Sequence, residues 1–162
     1  MRARVAYLLI GMLAVGLAGC SDRTNPRVVT RVNTDAEPGG ELSFSPLQGK
    51  MITSWVNRQD STMSTLFGND IAWQYARTNS DMRYPERAVL SVVTWSQQED
   101  PRWFGGKIPQ RVKSVEVVSV VPGPGRYLYQ RYEGFPLKRV VQSAAPNERA
   151  DYLLAQRAAV MP

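Results

Sequence analysis

The sequence contains no histidine and a single cysteine, Cys20. No intramolecular disulfide can form. Zinc sites built on Cys and His are excluded, as are Ser-His-Asp and Cys-His catalysis. Covalent haem attachment through Cys-x-x-Cys-His falls on the same ground. Oxygen-ligand metal sites and carboxylate acid–base chemistry survive these exclusions. Concentrated charge is also lacking. The formal net charge of +6 comes from 20 basic and 14 acidic residues, and the basic ones are mostly scattered arginines. With no basic block or helix, no nucleic-acid partner is expected, whereas weak attraction to an anionic lipid surface is. A hydrophobic share of 43% and a charged share of 21% describe an ordinary globular chain.

The longest uncharged apolar run, Val5 to Ala18, stops short of the roughly 20 residues that a membrane-spanning helix needs. Arg2 and Arg4 precede it and Leu17-Ala18-Gly19-Cys20 closes it. Basic start, apolar run and small residues before the cut are the parts of a signal peptide. Ending on cysteine, the segment resembles the bacterial lipobox. That resemblance implies removal of residues 1–19, acyl chains such as palmitate on Cys20, and a mature chain of 143 of the 162 residues with a charge of about +4. Two or three acyl chains on one residue anchor stably where one would not. Ser21, rather than aspartate, follows the cut. This resembles the pattern sorted to the outer membrane, so the expected place is the cell envelope, facing the periplasm.

Residues 20–48 read as the lipidated cysteine and a flexible tether. Pro26, Pro38, Gly39, Gly40 and Pro46 interrupt them and no helical or strand period persists. Val28, Val29 and Val32 offer the alternative of a short edge strand. From residue 49 to 162 the pattern is that of one domain. Met51–Val56 and Thr62–Phe67 read as a hairpin across a polar turn. Gly68 stops the second strand, and Asn69 or Asp70 can cap a helix that places Ile71, Ala72, Tyr75 and Ala76 on one face and ends near Asn79. Ala88–Trp95, apolar on both faces, predicts a central strand. Gln97–Gln110 reads as a polar, aromatic loop and Val112–Val121 as a strand. Pro122-Gly123-Pro124-Gly125 is a turn. Arg126–Tyr132 predicts a strand with Tyr127 and Tyr129 on one face and Tyr132 on the other. Pro146 opens a last helix, to about Ala159, with Ala150, Leu153, Leu154 and Ala158 inward. The fold class is α+β: an antiparallel sheet of about five strands with two flanking helices.

Leu66-Phe67-Gly68-Asn69-Asp70 followed by Ala72 and Ala76, then Tyr84-Pro85 leading into Ala88-Val89-Leu90, then Val93-Thr94-Trp95 and Lys113-Ser114-Val115-Glu116-Val117-Val118, together resemble the cytochrome P-460 family over residues 50–134 or so. The resemblance implies an antiparallel sheet with flanking helices, a homodimer, and a c-type haem used in periplasmic oxidation of small nitrogen compounds. The family's haem-attachment motif lies near the C-terminus, where residues 140–162 hold neither cysteine nor histidine. Its cross-linking lysine is expected on the sheet, and Ala88–Trp95 has none. The fold therefore carries over and the catalytic residues do not.

The richest candidate for a ligand loop is Trp95, Glu99, Asp100, Arg102, Trp103, Phe104 and Lys107, where aromatics and charges could form a lip; the alternative is that Trp103 and Phe104 pack under their own loop. Gly105-Gly106 lacks the spacing and the following helix of a phosphate cradle. Glu99-Asp100 lacks the alternating oxygen donors of a calcium loop, so no metal is expected. Glu99, Asp100, Glu116 and Glu133 are the carboxylates a hydrolase would draw on. Tyr127, Tyr129 and Tyr132 could ligate a non-covalent haem, or simply line a half-buried strand. Trp55, Trp73 and Trp95 read as core. The sequence thus leads to a membrane-anchored envelope lipoprotein with a haem-free domain, no cofactor and no catalytic residue, acting as a binding or interaction module for a protein or small molecule. The alternative is a periplasmic redox protein that keeps a non-covalent haem.

Overall fold

The computed structural model describes residues 33–78, 81, 83–141 and 146–159. Cys20, the signal segment and Val28, Val29 and Val32 lie outside them. Six strands form one open antiparallel sheet in sequence order: β1 (Lys50–Asn57), β2 (Thr62–Gly68), β3 (Val89–Glu99), β4 (Lys107–Val120), β5 (Tyr127–Glu133) and β6 (Lys138–Val140). Two α-helices accompany it, α1 (Asp70–Thr78) and α2 (Pro146–Leu154). The architecture is α+β as the sequence indicates, with six strands rather than about five. The additional strand is the three-residue β6, exposed throughout. Its Lys138 and Arg139 are the charged side chains that blunt a sheet edge, and they leave no apolar alternation to read.

The double-sided apolar character of β3 has its expected consequence. Val92, Leu90 and Val118 face one core cluster with Leu66, while Val93, Val115 and Val117 face another. The helices cover the first face. Asn69 caps α1: its Oδ1 accepts the Ala72 N–H at 3.0 Å and the Val89 N–H at 3.2 Å, and its Nδ2 donates to the Arg87 carbonyl at 2.7 Å. One side chain therefore satisfies a first-turn donor and fastens the helix start to β3. Ala72 and Ala76 are the buried pair of α1. A Cβ on Gly68 would stand 2.8 Å from Ile52 and 3.0 Å from Ala72, so glycine lets the helix close onto the sheet. On α2, Ala150, Leu153 and Leu154 are buried. This helix ends at Leu154, five residues before the expected Ala159. Beyond it the chain turns back onto the domain, with Ala158 N–H donating to the Ala76 carbonyl at 3.4 Å and Ala159 N–H to that of Ile52 at 2.8 Å.

Among the described residues, no α-helix covers the second face. Residues 33–48, the second half of the expected tether, lie across it as a strap with two short 3-10 turns, Thr34–Ala36 and Pro46–Gln48. Ala36 and Leu42 pack against the core there. The Trp95 indole N–H donates to the Ala36 carbonyl at 2.7 Å. Asp35 pairs with Arg111 at 3.0 Å. Glu41 N–H donates to the Leu137 carbonyl at 2.9 Å, and Leu137 N–H to the Gly39 carbonyl at 3.0 Å. At Gly40, φ is +127° and a Cβ would meet the Leu137 carbonyl oxygen at 2.2 Å, so the crossing requires glycine. The tether reading fails for residues 33–48 because a segment held by backbone pairing and a few apolar contacts needs no periodicity.

Candidate functional site

Antiparallel register arranges the helix-covered face in cross-strand rows. Leu90, Val118 and Tyr129 form one row; Leu66, Val92, Glu116 and Arg131 the next; Ser64, Thr94, Ser114 and Glu133 the one after. Along β2, β3 and β4 the face changes from apolar to polar within two residues of each strand. The helices close the apolar end. The polar end opens into a cleft of about 900 Å³, within the range of small-ligand sites.

The hydroxyls of Ser64, Thr94 and Ser114 line this cleft. Ser64 and Thr94 are joined by a hydrogen bond of 2.9 Å. Trp55 and Tyr152 form one wall, their rings edge to face with centroids 6.3 Å apart. The β1–β2 turn makes a rim: Asn57 accepts the Gln59 N–H at 2.9 Å and donates to Asp60 at 2.7 Å, which positions Arg58 and Asp60 at the opening. Lys113 stands at a β-bulge. Thr94 pairs with Ser114 and Trp95 with Val112, so Lys113 is the extra residue of β4. Bulges re-aim side chains in this way. The Lys113 ammonium has no hydrogen-bond or ion-pair partner among the described residues, and it lines the cleft.

At the boundary between the apolar and polar ends sits Glu116, 2% exposed. Arg149 of α2 grips it with two donors, Nε to Oε1 at 2.9 Å and Nη2 to Oε2 at 2.8 Å. The Tyr129 hydroxyl donates to Oε1 as well. Burial pushes the Glu116 carboxyl up, but hydrogen bonds from Arg149 and Tyr129, with the charges of Arg149 and Arg131, hold it below the usual carboxylate range. The same contact raises the Arg149 guanidinium. Burial, then the bond to Glu116, pushes the Tyr129 hydroxyl up. Arg131 is tied to Glu133, its Nε donating at 2.6 Å. Both acids are thus paired with arginines.

The residues of the expected ligand loop are spread along a hairpin. The polar stretch Gln97–Gln110 is mostly strand: β3 and β4 continue as a hairpin to Glu99 and Lys107, leaving only residues 100–106 as its tip. The hairpin extends past the core, so no buried face marks it by alternation. Trp95 belongs to the strap-covered core. Glu99 and Lys107 pair across the strands. Asp100 accepts the Arg102 N–H at 2.9 Å. Trp103 is 75% exposed and Phe104 fully so, which also overturns the alternative that they pack beneath the loop. Tyr127 and Tyr129 share the helix-covered face and Tyr132 the other, as expected. Trp55 and Trp73 are half-buried at the edge of the first core, and Trp73 lies between Lys50 and Arg77. Ser64 and Arg149 have no place in the sequence reading, and Thr94, Lys113 and Ser114 enter it only through the family resemblance, not as site residues. Ser114 and Glu116, two apart in an otherwise valine-rich strand, were the available signal, since polar residues at that spacing share one face.

A porphyrin would need apolar walls and an axial iron ligand. Hydroxyls line this cleft, the Glu116–Arg149 pair borders it, and the sequence offers no histidine. The lining does not fit a haem. Among the described residues no group of three or more His, Cys, Asp or Glu is placed to hold a metal ion, and no helix is long and apolar enough to cross a membrane. Across the sheet, a second hollow of about 620 Å³ lies between the strap and β2–β5, lined by Phe44, Pro46, Phe67 and Val117 among others. Compared with known proteins, the chain matches no family model and no curated sequence.

Proposed function

We propose that this chain is an envelope lipoprotein, anchored through Cys20 in the outer membrane, whose domain is a haem-free relative of the cytochrome P-460 fold and binds a small organic anion without transforming it. The observation that carries the reading is the unpaired Lys113 side chain, exposed at a bulge and lining the same cleft as Ser64, Thr94 and Ser114. A cation without a protein partner, next to donors that can turn toward an acceptor, suits a carboxylate or similar anion. The Trp55–Tyr152 wall suits an attached ring or apolar body. Of the acids that line the cleft, Glu116 and Glu133 are paired with arginines and Asp60 accepts from Asn57 at the rim, which supports binding over acid–base chemistry. The resemblance adds a homodimer to the proposal.

The test is titration of the full chain with small aromatic carboxylates such as benzoate and phthalate, followed by calorimetry. Lys113→Gln is expected to weaken binding about tenfold, the loss of one charge-assisted contact of ~1.4 kcal/mol. Equal affinity in the two proteins would remove Lys113 from the site. A Soret band and stoichiometric haem in the purified chain would instead favour the redox alternative.

A further inference from the structure

The β3–β4 hairpin ends in Asp100-Pro101-Arg102-Trp103-Phe104-Gly105-Gly106, and its backbone is well held. Asp100 N–H donates to the Gly106 carbonyl at 2.9 Å and Gly106 N–H to the Trp103 carbonyl at 2.9 Å. Closure of the loop on itself leaves Trp103 three-quarters exposed and Phe104 fully so among the described residues. Two adjacent large aromatics held in water by an ordered tip are costly unless something covers them.

The position of the chain entry identifies the cover. Asn33, the first described residue, donates from its side chain to the carbonyls of Pro109 at 3.0 Å and Gln110 at 2.7 Å. Pro109 lies two residues into β4 from the hairpin tip side, so at ~3.3 Å per residue the entry point sits within about 15 Å of the loop along the strand direction. The chain back to Cys20, residues 20–32, counts thirteen residues and can span at most ~45 Å. Asn33 therefore lies at the hairpin end of the sheet. Arg102 and Lys107 flank the aromatics, paired with Asp100 and Glu99 so that the tip carries no net charge, and tryptophan is among the side chains that membrane interfaces favour.

We infer that the β3–β4 tip is a second membrane contact: Trp103 and Phe104 enter the lipid interface and orient the domain on the surface that carries its anchor. This rests on the lipoprotein reading given above. A shallow wedge adds to a lipid anchor in the way that two weak membrane signals combine. It also fixes which end of the sheet faces the bilayer, and the Lys113 cleft opens toward that end.

The test uses the full lipidated chain reconstituted in phosphatidylethanolamine–phosphatidylglycerol vesicles. Phe104→Cys carries an environment-sensitive fluorophore; Pro124→Cys, in the β4–β5 turn at the opposite end, is the control. The expected result is blue-shifted emission and quenching by brominated lipids at position 104, neither at position 124, and loss of both at 104 when Trp103→Ser is added. Emission at 104 unchanged from that in water would overturn the inference. A response seen only in native envelope membranes, absent from pure lipid, would overturn it in favour of a protein partner. Intact mass of the same sample reports the acyl chains on Cys20. An unacylated chain would refute the lipoprotein reading alone, because insertion of the tip on adding vesicles would still register at 104.

Discussion

The two faces of this sheet are completed by different means. One is covered by α1 and α2, which bury Ala72, Ala76, Ala150, Leu153 and Leu154 against the apolar end of the strands. The other is covered by residues 33–48, which contribute Ala36, Leu42 and a handful of backbone hydrogen bonds. Helices cover a sheet in patches about one helix wide, so they stop where Ser64, Thr94 and Ser114 begin, and a cleft remains. A strap follows the surface wherever backbone groups can pair. The difference teaches that an apolar strand requires a cover without specifying its kind. A polar change along one face, by contrast, marks where the cover ends.

Removing the strap should have the largest effect. A chain beginning at Gly49 exposes Trp95 and Leu137, which are 6% and 1% exposed in the structure. Full burial of side chains of this size is worth ~1.5–3 kcal/mol each, and the Trp95 hydrogen bond adds ~1 kcal/mol. Thermal melts should show a loss of at least ~3 kcal/mol, or no cooperative transition. A melt equal to that of the full chain would show that residues 33–48 only rest on the sheet.

Breaking the polar boundary on the other face comes next. Glu116→Gln leaves Arg149 without its partner, for an expected cost of ~2–3 kcal/mol. This is below the usual range for a fully buried pair because the Arg149 side chain is 38% exposed and can turn to water. The pH dependence follows from the lowered carboxyl. The folded protein holds Glu116 below its ordinary value of 4.5, so the unfolded chain takes up the proton first. The stabilisation is complete above about pH 5 and is lost as pH falls through the folded value. Denaturant titrations at pH 7 and pH 3 should show the gap between natural and variant protein narrowing in acid. A gap independent of pH would assign the cost to packing instead.

The pattern of success in the sequence reading follows the same contrast. β1, β2, β5 and the central β3 were legible, because each alternates or is apolar throughout beneath a core. So were α1 and the start of α2, from Asn69 and Pro146. The strap was not, because Gly39, Gly40 and Pro46 carry the composition of a loop whether or not the loop is packed. The outer hairpin was missed for a related reason: Gln97, Gln98 and Gln110 are strand residues with solvent on their sides. Of the candidate site, Glu116 was noticed only as a carboxylate. Its partner Arg149 is 33 residues away in sequence, and no local pattern brings them together. Lys113 acquires its place through a bulge, which shifts every later side chain of β4 relative to β3 and has no signature in composition.

A smaller effect tests the strap at one point. Gly40→Ala asks for a Cβ where the Leu137 backbone stands and for a φ that L residues rarely adopt. An expected loss of ~2 kcal/mol in equilibrium unfolding reflects local detachment of the crossing. A neutral result would mean that the Gly40–Leu137 bridge contributes nothing to stability.

If the polar end of the helix-covered face is kept for a ligand rather than for the fold, its hydroxyls matter to binding and little to stability. Ser64→Ala combined with Thr94→Val removes both partners of the 2.9 Å hydroxyl pair, a change that leaves no unsatisfied group and is expected to shift stability by less than ~1 kcal/mol. Titrating this double variant with benzoate and phthalate is the most direct measurement. The account expects a protein that melts as the natural one does and binds these anions at least tenfold more weakly. Unchanged binding, or a variant that no longer folds, would contradict it.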